Sequence, residues 1–232
     1  MNKRHILLFF LPLMCLTLIA QSQYGTWTSF AIDKKVHKWN FQAETELRTI
    51  YYARLINRWS LGIDAEYKIV KPIGVVFGYQ FMNVLDQKYL NYQFRNRFTA
   101  DIFGKQKWGN FSFSLTEGLQ LTTKNDNKRI KKDLTIDTYK VNNAWMWKNG
   151  IEVEYNIPKC KITPEFDFKS YYTLNEPDGN VFDKLRYTLS LKYKLNKHNF
   201  INVFGVYNHE LGEDDADYSG KYILGVKYTI HL

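Results

Sequence analysis

Residues 39–48 read WNFQAETELR, and this stretch decides the fold. Every second residue from Trp39 to Leu47 is apolar or uncharged, whereas the residues between them are polar and include Glu44, Glu46 and Arg48. A period of two residues is typical of a β-strand whose two faces meet different surroundings. Because one face carries full charges, that face must lie in water or among ion pairs.

The same alternation continues through the rest of the chain. Comparable runs occupy residues 59–69, 75–81, 92–102, 111–121, 145–157, 162–172, 185–195 and 222–232. Several runs exceed the roughly 5–6 residues of an ordinary soluble strand and match the roughly 9–11 residues of a tilted membrane strand. No helical period competes with them. The pattern therefore predicts a single all-β domain over residues 23–232.

The alternation fits two architectures that place the charged face on opposite sides. A soluble barrel keeps its apolar face inside, whereas a membrane barrel turns that face to lipid and its charges to the lumen. Long strands and aromatic residues near strand ends favour the second. The fold predicted is an antiparallel up-and-down transmembrane β-barrel of about ten to twelve strands. A soluble exported β-barrel binding protein stays open as an alternative.

Aromatic residues near the strand ends are expected to lie in girdles at the two membrane interfaces. The residues assigned to these girdles are Trp39, Tyr51, Tyr52, Trp59, Tyr89, Tyr92, Trp108, Tyr155, Tyr171, Tyr172, Tyr193 and Tyr228. Glu117 interrupts the apolar face of its strand, which is costly for a carboxylate in lipid. We expect a β-bulge that turns Glu117 inward, or a position near the interface.

Residues 1–22 have the features of a cleaved secretory signal peptide. Lys3 and Arg4 form a basic start, residues 6–20 form an apolar run, and Ala20 and Ser22 provide small residues before the cleavage position. The apolar run is shorter than the roughly 20 residues of a spanning helix. The sequence therefore predicts export and, with the barrel, an outer-membrane location.

Two kinds of connection separate the predicted strands. Short basic turns lie at residues 33–38, 71–74, 104–110, 158–161 and 196–199, and more varied loops lie at residues 50–56, 86–91, 122–138, 175–184 and 208–219. Outer-membrane barrels have short periplasmic turns and longer external loops, so each set is assigned to one membrane side. Segment 24–33 is either a partial strand or a luminal lead-in to a ten-stranded barrel, or one missed strand makes twelve.

Charged residues on the polar faces are the candidate functional residues, because those faces are expected to line the lumen. The candidates are Glu44, Glu46, Arg48, Arg58, Asp64, Glu66, Arg95, Arg97, Asp101, Glu152, Glu154, Glu165, Asp167 and Arg186. They predict either a narrow channel for ions or small solutes or a ladder of ion pairs that fills a structural barrel. Barrels of about eight strands are filled by side chains, whereas about 16–18 strands leave a channel.

Composition and motifs exclude several classes of protein. Aromatic residues make up 17% of the chain, which argues against disorder, and export argues against nucleic acid as the partner of a +9 protein. No nucleophile elbow, His-Glu-x-x-His motif or phosphate loop occurs, so no cofactor, metal ion or catalytic residue is predicted. A barrel enzyme that acts on lipid or lipopolysaccharide stays open, with His209 and Glu210 as its candidate pair.

Several short motifs resemble a family of small outer-membrane barrels from Bacteroidota that is catalogued as a domain of unknown function. They are GTWTSFAIDKK at 25–35, FQAETELRT at 41–49, LGIDAEYKI at 61–69, GYQF at 78–81 and RNRFTAD at 95–101. The resemblance implies a β-barrel fold and an outer-membrane location, and it carries no catalytic residues.

The expectation is thus a non-enzymatic outer-membrane barrel, either structural or a narrow channel with a charged lumen. Its expected partners are outer-membrane lipid, lipopolysaccharide and, during assembly, the barrel-insertion machinery, which would recognise the strand at 221–232. A protein partner bound through the external loops is left open.

Overall fold

The computed structural model describes residues 24–86, 90–124, 128–130, 134–138, 143–175, 179–211 and 221–232, so the predicted signal peptide lies outside the described residues. The strands are β1 (Tyr24–Val36), β2 (Trp39–Ile50), β3 (Leu55–Val70), β4 (Ile73–Asp86), β5 (Asn91–Trp108), β6 (Phe111–Lys124), β7 (Lys128–Ile130), β8 (Ile136–Thr138), β9 (Ala144–Tyr155), β10 (Ile162–Thr173), β11 (Val181–Lys194), β12 (Asn199–Glu210) and β13 (Tyr222–His231). The described residues contain no helix long and apolar enough to cross a membrane.

Eleven strands close into one barrel in the order β1-β13-β12-β11-β10-β9-β6-β5-β4-β3-β2. Strands that follow each other in the chain pair antiparallel, and β6 pairs with β9 because β7 and β8 form a separate two-stranded sheet. The barrel closes between β1 and β13, which run parallel from Tyr24 opposite Tyr222 to Asp33 opposite His231. The predicted all-β barrel is therefore confirmed, with one parallel pair in a sheet that is otherwise antiparallel.

Eleven strands lie within the predicted range of about ten to twelve, but the choice between ten and twelve is wrong, and segment 24–33 is neither a partial strand nor a luminal lead-in. Tyr24–Val36 is a complete barrel strand that pairs with β2 on one edge and β13 on the other. In an up-and-down sheet with an odd number of strands, the first and last strands run in the same direction. Closure then has to be parallel, so β1 and β13 both start at one rim and end at the other, with Asp33 beside His231.

The two sets of connections predicted from the sequence lie at opposite ends of the barrel, and the longest connections share one end. At the end with the short turns, residues 37–38 join β1 to β2, residues 71–72 join β3 to β4, and residues 109–110 join β5 to β6. These turns are tighter than the sequence indicates, because the flanking strands continue into the basic residues. Strand β9 runs unbroken through Asn149 and Gly150. We call the two rims the turn end and the loop end.

The outer wall of the barrel is apolar and exposed. Ile63, Phe77 and Leu189 point outward from strand interiors and are 60%, 56% and 63% exposed. The residues between such outward positions are buried or half-buried and carry the charges. A barrel that dissolves in water has the opposite polarity, so this arrangement matches a barrel surrounded by lipid.

Two side chains depart from the predicted outer wall. Tyr171 is not in a girdle, because it shares the inward face of β10 with Asp167 and Lys169 and is only 7% exposed. Glu117 is not turned inward by a bulge. The pairing of β5 with β6 is regular across it, and the exposed Glu117 lies opposite Ile102 and Asn149 on the outer wall near the middle of β6.

Glycines on the inner face make room for carboxylates. A Cβ atom at Gly118 would overlap the carboxylate of Asp101 and approach the backbone oxygen of Ala100 to 2.8 Å. We expect Gly118→Ala to lower the free energy of unfolding by about 1–3 kcal/mol, the usual cost of overpacking. Urea unfolding in detergent measures this. Gly205→Ala is the matched control, because no atom lies within 4 Å of its Cβ. Equal losses in both variants would contradict the steric explanation.

Candidate functional site: the charged lumen

All the predicted lumen charges lie in barrel strands on the face opposite the exposed apolar side chains, where they are buried or half-buried. Alternation along each strand puts them there, because successive side chains of a strand point to opposite faces. The structure divides them into groups at different depths. Acid–lysine pairs lie toward the turn end and at mid-depth, and arginines gather toward the loop end.

The group nearest the turn end joins glutamates of β9 and β10 to lysines of β5 and β11. Lys105 Nζ lies 2.9 Å from a carboxylate oxygen of Glu154 and 3.6 Å from Glu152. Lys192 Nζ lies 3.3 Å from Glu154 and 3.3 Å from Glu165. Carboxylate oxygens of the three glutamates lie within 4.8 Å of one another, so the lysines offset their mutual repulsion.

Further ion pairs lie at mid-depth. Lys148 Nζ is 2.9 Å from Asp101, and Lys227 Nζ is 2.6 Å from Glu44. Each pair joins two strands that are not hydrogen-bonded to each other, β5 with β9 and β13 with β2. The long lysine side chains therefore bridge over the inner face of the intervening strand.

Of the other candidate acids, Asp64 lies close enough to both mid-depth bridges to feel their charges. Asp64 lies beside Gly78, where a Cβ atom would overlap its carboxylate. Glu66 lies toward the turn end, 3.8 Å from the exposed Lys68.

Near the loop end the balance of charge is different. We define the arginine cluster as Arg48, Arg58, Arg97 and Arg186. The Glu46 carboxylate accepts two hydrogen bonds from Arg48, at 2.6 and 2.9 Å, and a further one from Arg58. Arg48 also feels the positive charges of Arg58 and Arg186, and Arg97 feels those of Arg48 and Arg186. Among the described residues, four guanidinium groups therefore lie close enough to feel each other's charge, and two of them are bonded to the same carboxylate.

Aromatic rings support the arginine cluster. The Arg48 guanidinium carbon lies 3.5 Å from the centre of the Trp27 ring, and that of Arg186 lies 5.1 Å from it. Trp27 in turn meets the ring of Phe204 edge-on, with centroids 6.2 Å apart. Phe204 fits because its neighbour is Gly225, whose missing side chain leaves space for the ring. These contacts are cation–π and aromatic pairs that order the guanidiniums.

Sequence reasoning missed Trp27, Tyr171 and the lysines that complete the lumen. The lysines at 105, 148, 169 and 192 share the polar faces of strands that supplied candidate residues, and Lys227 lies on the polar face of β13. The alternation of polar and apolar residues along each strand is the signal that would have identified these lysines. Trp27 was missed because the segment before Asp33 mixes polar and apolar residues on both faces, so its barrel strand was not assigned.

The structure does not bring His209 and Glu210 together as a catalytic pair. They are neighbours in β12, so their side chains point to opposite faces of the wall. The His209 ring stacks on Tyr207 with centroids 6.3 Å apart.

Comparisons with known proteins bear mainly on the family. No curated protein matches the chain. A solved structure described as the NanC porin in a rhombohedral crystal form is 11% identical, covers 80% of this chain and 86% of that chain, and superposes with a TM-score of 0.48. A family profile described as protein of unknown function (DUF2490) matches residues 24–219. Since this match spans most of the sequence, the chain belongs to the DUF2490 family.

Proposed function

We propose that this protein is a non-enzymatic integral outer-membrane β-barrel that acts as a narrow channel for ions or small solutes. The observation that carries the proposal is the polarity of the wall. The outer face of the barrel is apolar along the strands. The inner face carries charged side chains, from Glu154 and Lys105 toward the turn end to Arg48 near the loop end. Charged linings of this kind set selectivity in channels.

The outer-membrane location rests on the closed sheet and the predicted export signal at residues 1–22. A bilayer has no water to satisfy backbone groups at a sheet edge, and a closed barrel has no edges. Outer-membrane lipid and lipopolysaccharide would surround the apolar wall. Assembly would pass through the barrel-insertion machinery, with β13 as the strand recognised.

A compact structural barrel is the second candidate, and specific packing favours it. Met82 and Gln93 are 1% and 2% exposed inside the wall, and Trp27 reaches Phe204 across the strand between them. Several lumen charges are also neutralised in pairs. These contacts narrow the lumen, so the conductance of the folded protein decides between the two candidates.

Conductance of the purified barrel in a planar bilayer tests the proposal. We expect salt-dependent single-channel currents with a preference for anions, because four arginines face a single bonded carboxylate in the described part of the lumen near the loop end. Neutralising Arg95 and Arg97 together with glutamine should lower the anion-to-cation permeability ratio about twofold or more, measured from reversal potentials in a salt gradient.

Lys71→Gln is the control for this measurement, since it removes a charge from an exposed turn residue instead of the inner wall. Its permeability ratio should match that of the unmodified protein. A folded barrel that shifts on a gel when heated but carries no current would contradict the channel and support the structural barrel.

A further inference from the structure

We propose that the arginine cluster is a binding site for a free, multiply charged oxyanion of the phosphate class. The proposal deepens the proposed function, because it names the class of solute that the lumen receives. It needs solute to reach the lumen, but it does not need solute to pass through. Binding and conductance can therefore fail separately.

Charge is balanced unevenly along the lumen. Toward the turn end and at mid-depth, Lys105, Lys192, Lys148 and Lys227 each lie within 4.0 Å of at least one carboxylate. In the arginine cluster, Glu46 is the one carboxylate that contacts a guanidinium among the described residues. Like charges held together away from bulk water repel strongly unless an opposite charge joins them. A bound anion with more than one negative charge would supply that opposite charge.

The guanidinium groups of the cluster have unused capacity for hydrogen bonding. Among the described residues, Arg97 donates to the hydroxyl of Thr122, and Arg186 donates to the Asn208 amide oxygen and the Tyr171 hydroxyl. All three acceptors are neutral. The Nε atom of Arg58 is buried and has no hydrogen-bond partner in the described part of the chain, and the Arg58 side chain is only 9% exposed. Each guanidinium has five donors in a planar fork, the geometry that matches carboxylate and phosphate oxygens.

The arginine cluster is already organised. Trp27 orders Arg48 and Arg186, and the double hydrogen bond to Glu46 fixes the plane of the Arg48 fork. Side chains that are ordered before binding lose little further entropy when the ligand arrives.

The closed wall favours a free solute over a lipid. The cluster lies on the inner side of a hydrogen-bonded sheet without edges, so an acyl chain attached to a bound headgroup would have to lie in the polar lumen. A phosphate group on a lipid offers the same oxygens but brings an apolar tail into a charged surrounding. We therefore assign the site to a soluble phosphate-bearing solute.

Calorimetric titration of the detergent-purified barrel with inorganic phosphate tests the proposal. We expect saturable binding to one site, weakened about tenfold or more by Arg97→Gln and by Arg186→Gln, each of which removes one fork. Lys148→Gln is the matched control, because it removes the same charge from a paired lysine at mid-depth. It should change the affinity less than about twofold. Gel shift on heating shows that each variant is folded, and Arg97→Lys keeps the charge if the glutamine variant does not fold.

Several outcomes would overturn the proposal. They are the absence of saturable phosphate binding by the folded protein, an equal loss with Lys148→Gln, or tighter binding of a short-chain phosphatidic acid than of inorganic phosphate. Saturable binding in a barrel without conductance would support the site and refute the channel. Conductance without binding would do the reverse.

Discussion

Glu46→Gln is expected to lower the free energy of unfolding by about 3–5 kcal/mol, the range for removing one partner of a buried ion pair. The Glu46 side chain is 12% exposed and is bonded to Arg48 and Arg58, whose side chains are 17% and 9% exposed. Glutamine keeps the size and one acceptor oxygen but removes the negative charge. Arg48 and Arg58 would then repel each other without the carboxylate that is bonded to both. Arg186 would add to this repulsion. Urea unfolding in detergent, followed by tryptophan fluorescence, measures the loss.

Two variants separate charge from packing in this prediction. Glu66→Gln also removes a lumen carboxylate, but its partner Lys68 is 48% exposed and 3.8 Å away, so the loss should stay below about 1 kcal/mol. Arg58→Met combined with Glu46→Gln removes both members of the Glu46–Arg58 ion pair but leaves Arg48 without its carboxylate, so the double variant should recover only part of the single variant's loss. A loss for Glu46→Gln no larger than for Glu66→Gln would show that the arginine cluster does not depend on its carboxylate.

Much of the wall could be predicted from sequence because odd-numbered and even-numbered residues of a strand point to opposite faces. Once residues 39–48 are recognised as a strand, Glu44, Glu46 and Arg48 must share one face, and the charges on that face must avoid lipid. The same rule places Arg58, Arg97 and Arg186 inside without any knowledge of pairing. The longest connections likewise identified the loop end.

The partners of these charges could not be predicted by the same rule. Lys227 meets Glu44 over β1, and Lys148 meets Asp101 over β6, so each contact depends on the register of three strands. The alternation along a strand predicts which face a side chain lies on, but it does not predict how deep in the lumen that side chain lies. The local pattern of one strand contains no information on that depth.

The strand count depends on a single ambiguous segment. The inward positions of β1 include Trp27, Ser29 and Ala31. These residues are small or aromatic, so the sequence does not indicate a polar face. The inward Trp27 is apolar because it supports the guanidiniums of Arg48 and Arg186, which hides the strand pattern. The residue that completes the candidate site is thus the one that made its strand hard to assign.

Ile63→Arg is expected to lower the free energy of unfolding by about 2–4 kcal/mol if the wall faces lipid. Ile63 lies in the middle of β3, opposite Tyr79 and Ala43, and is 60% exposed. In water an arginine at so exposed a position would change stability by no more than about 0.5 kcal/mol. At the bilayer midplane the guanidinium loses its hydration, so the cost is large. Urea unfolding of the barrel folded into phospholipid vesicles measures it.

The depth dependence makes this prediction specific to a membrane. Ile73 is also outward and 41% exposed, but it is the first residue of β4 at the turn end. An arginine there reaches the headgroups, so Ile73→Arg should cost only about 0–1 kcal/mol. A soluble barrel has no such gradient along its outer wall, because water covers both positions equally. Equal and small losses for the two variants would contradict the membrane-spanning barrel, and with it the channel.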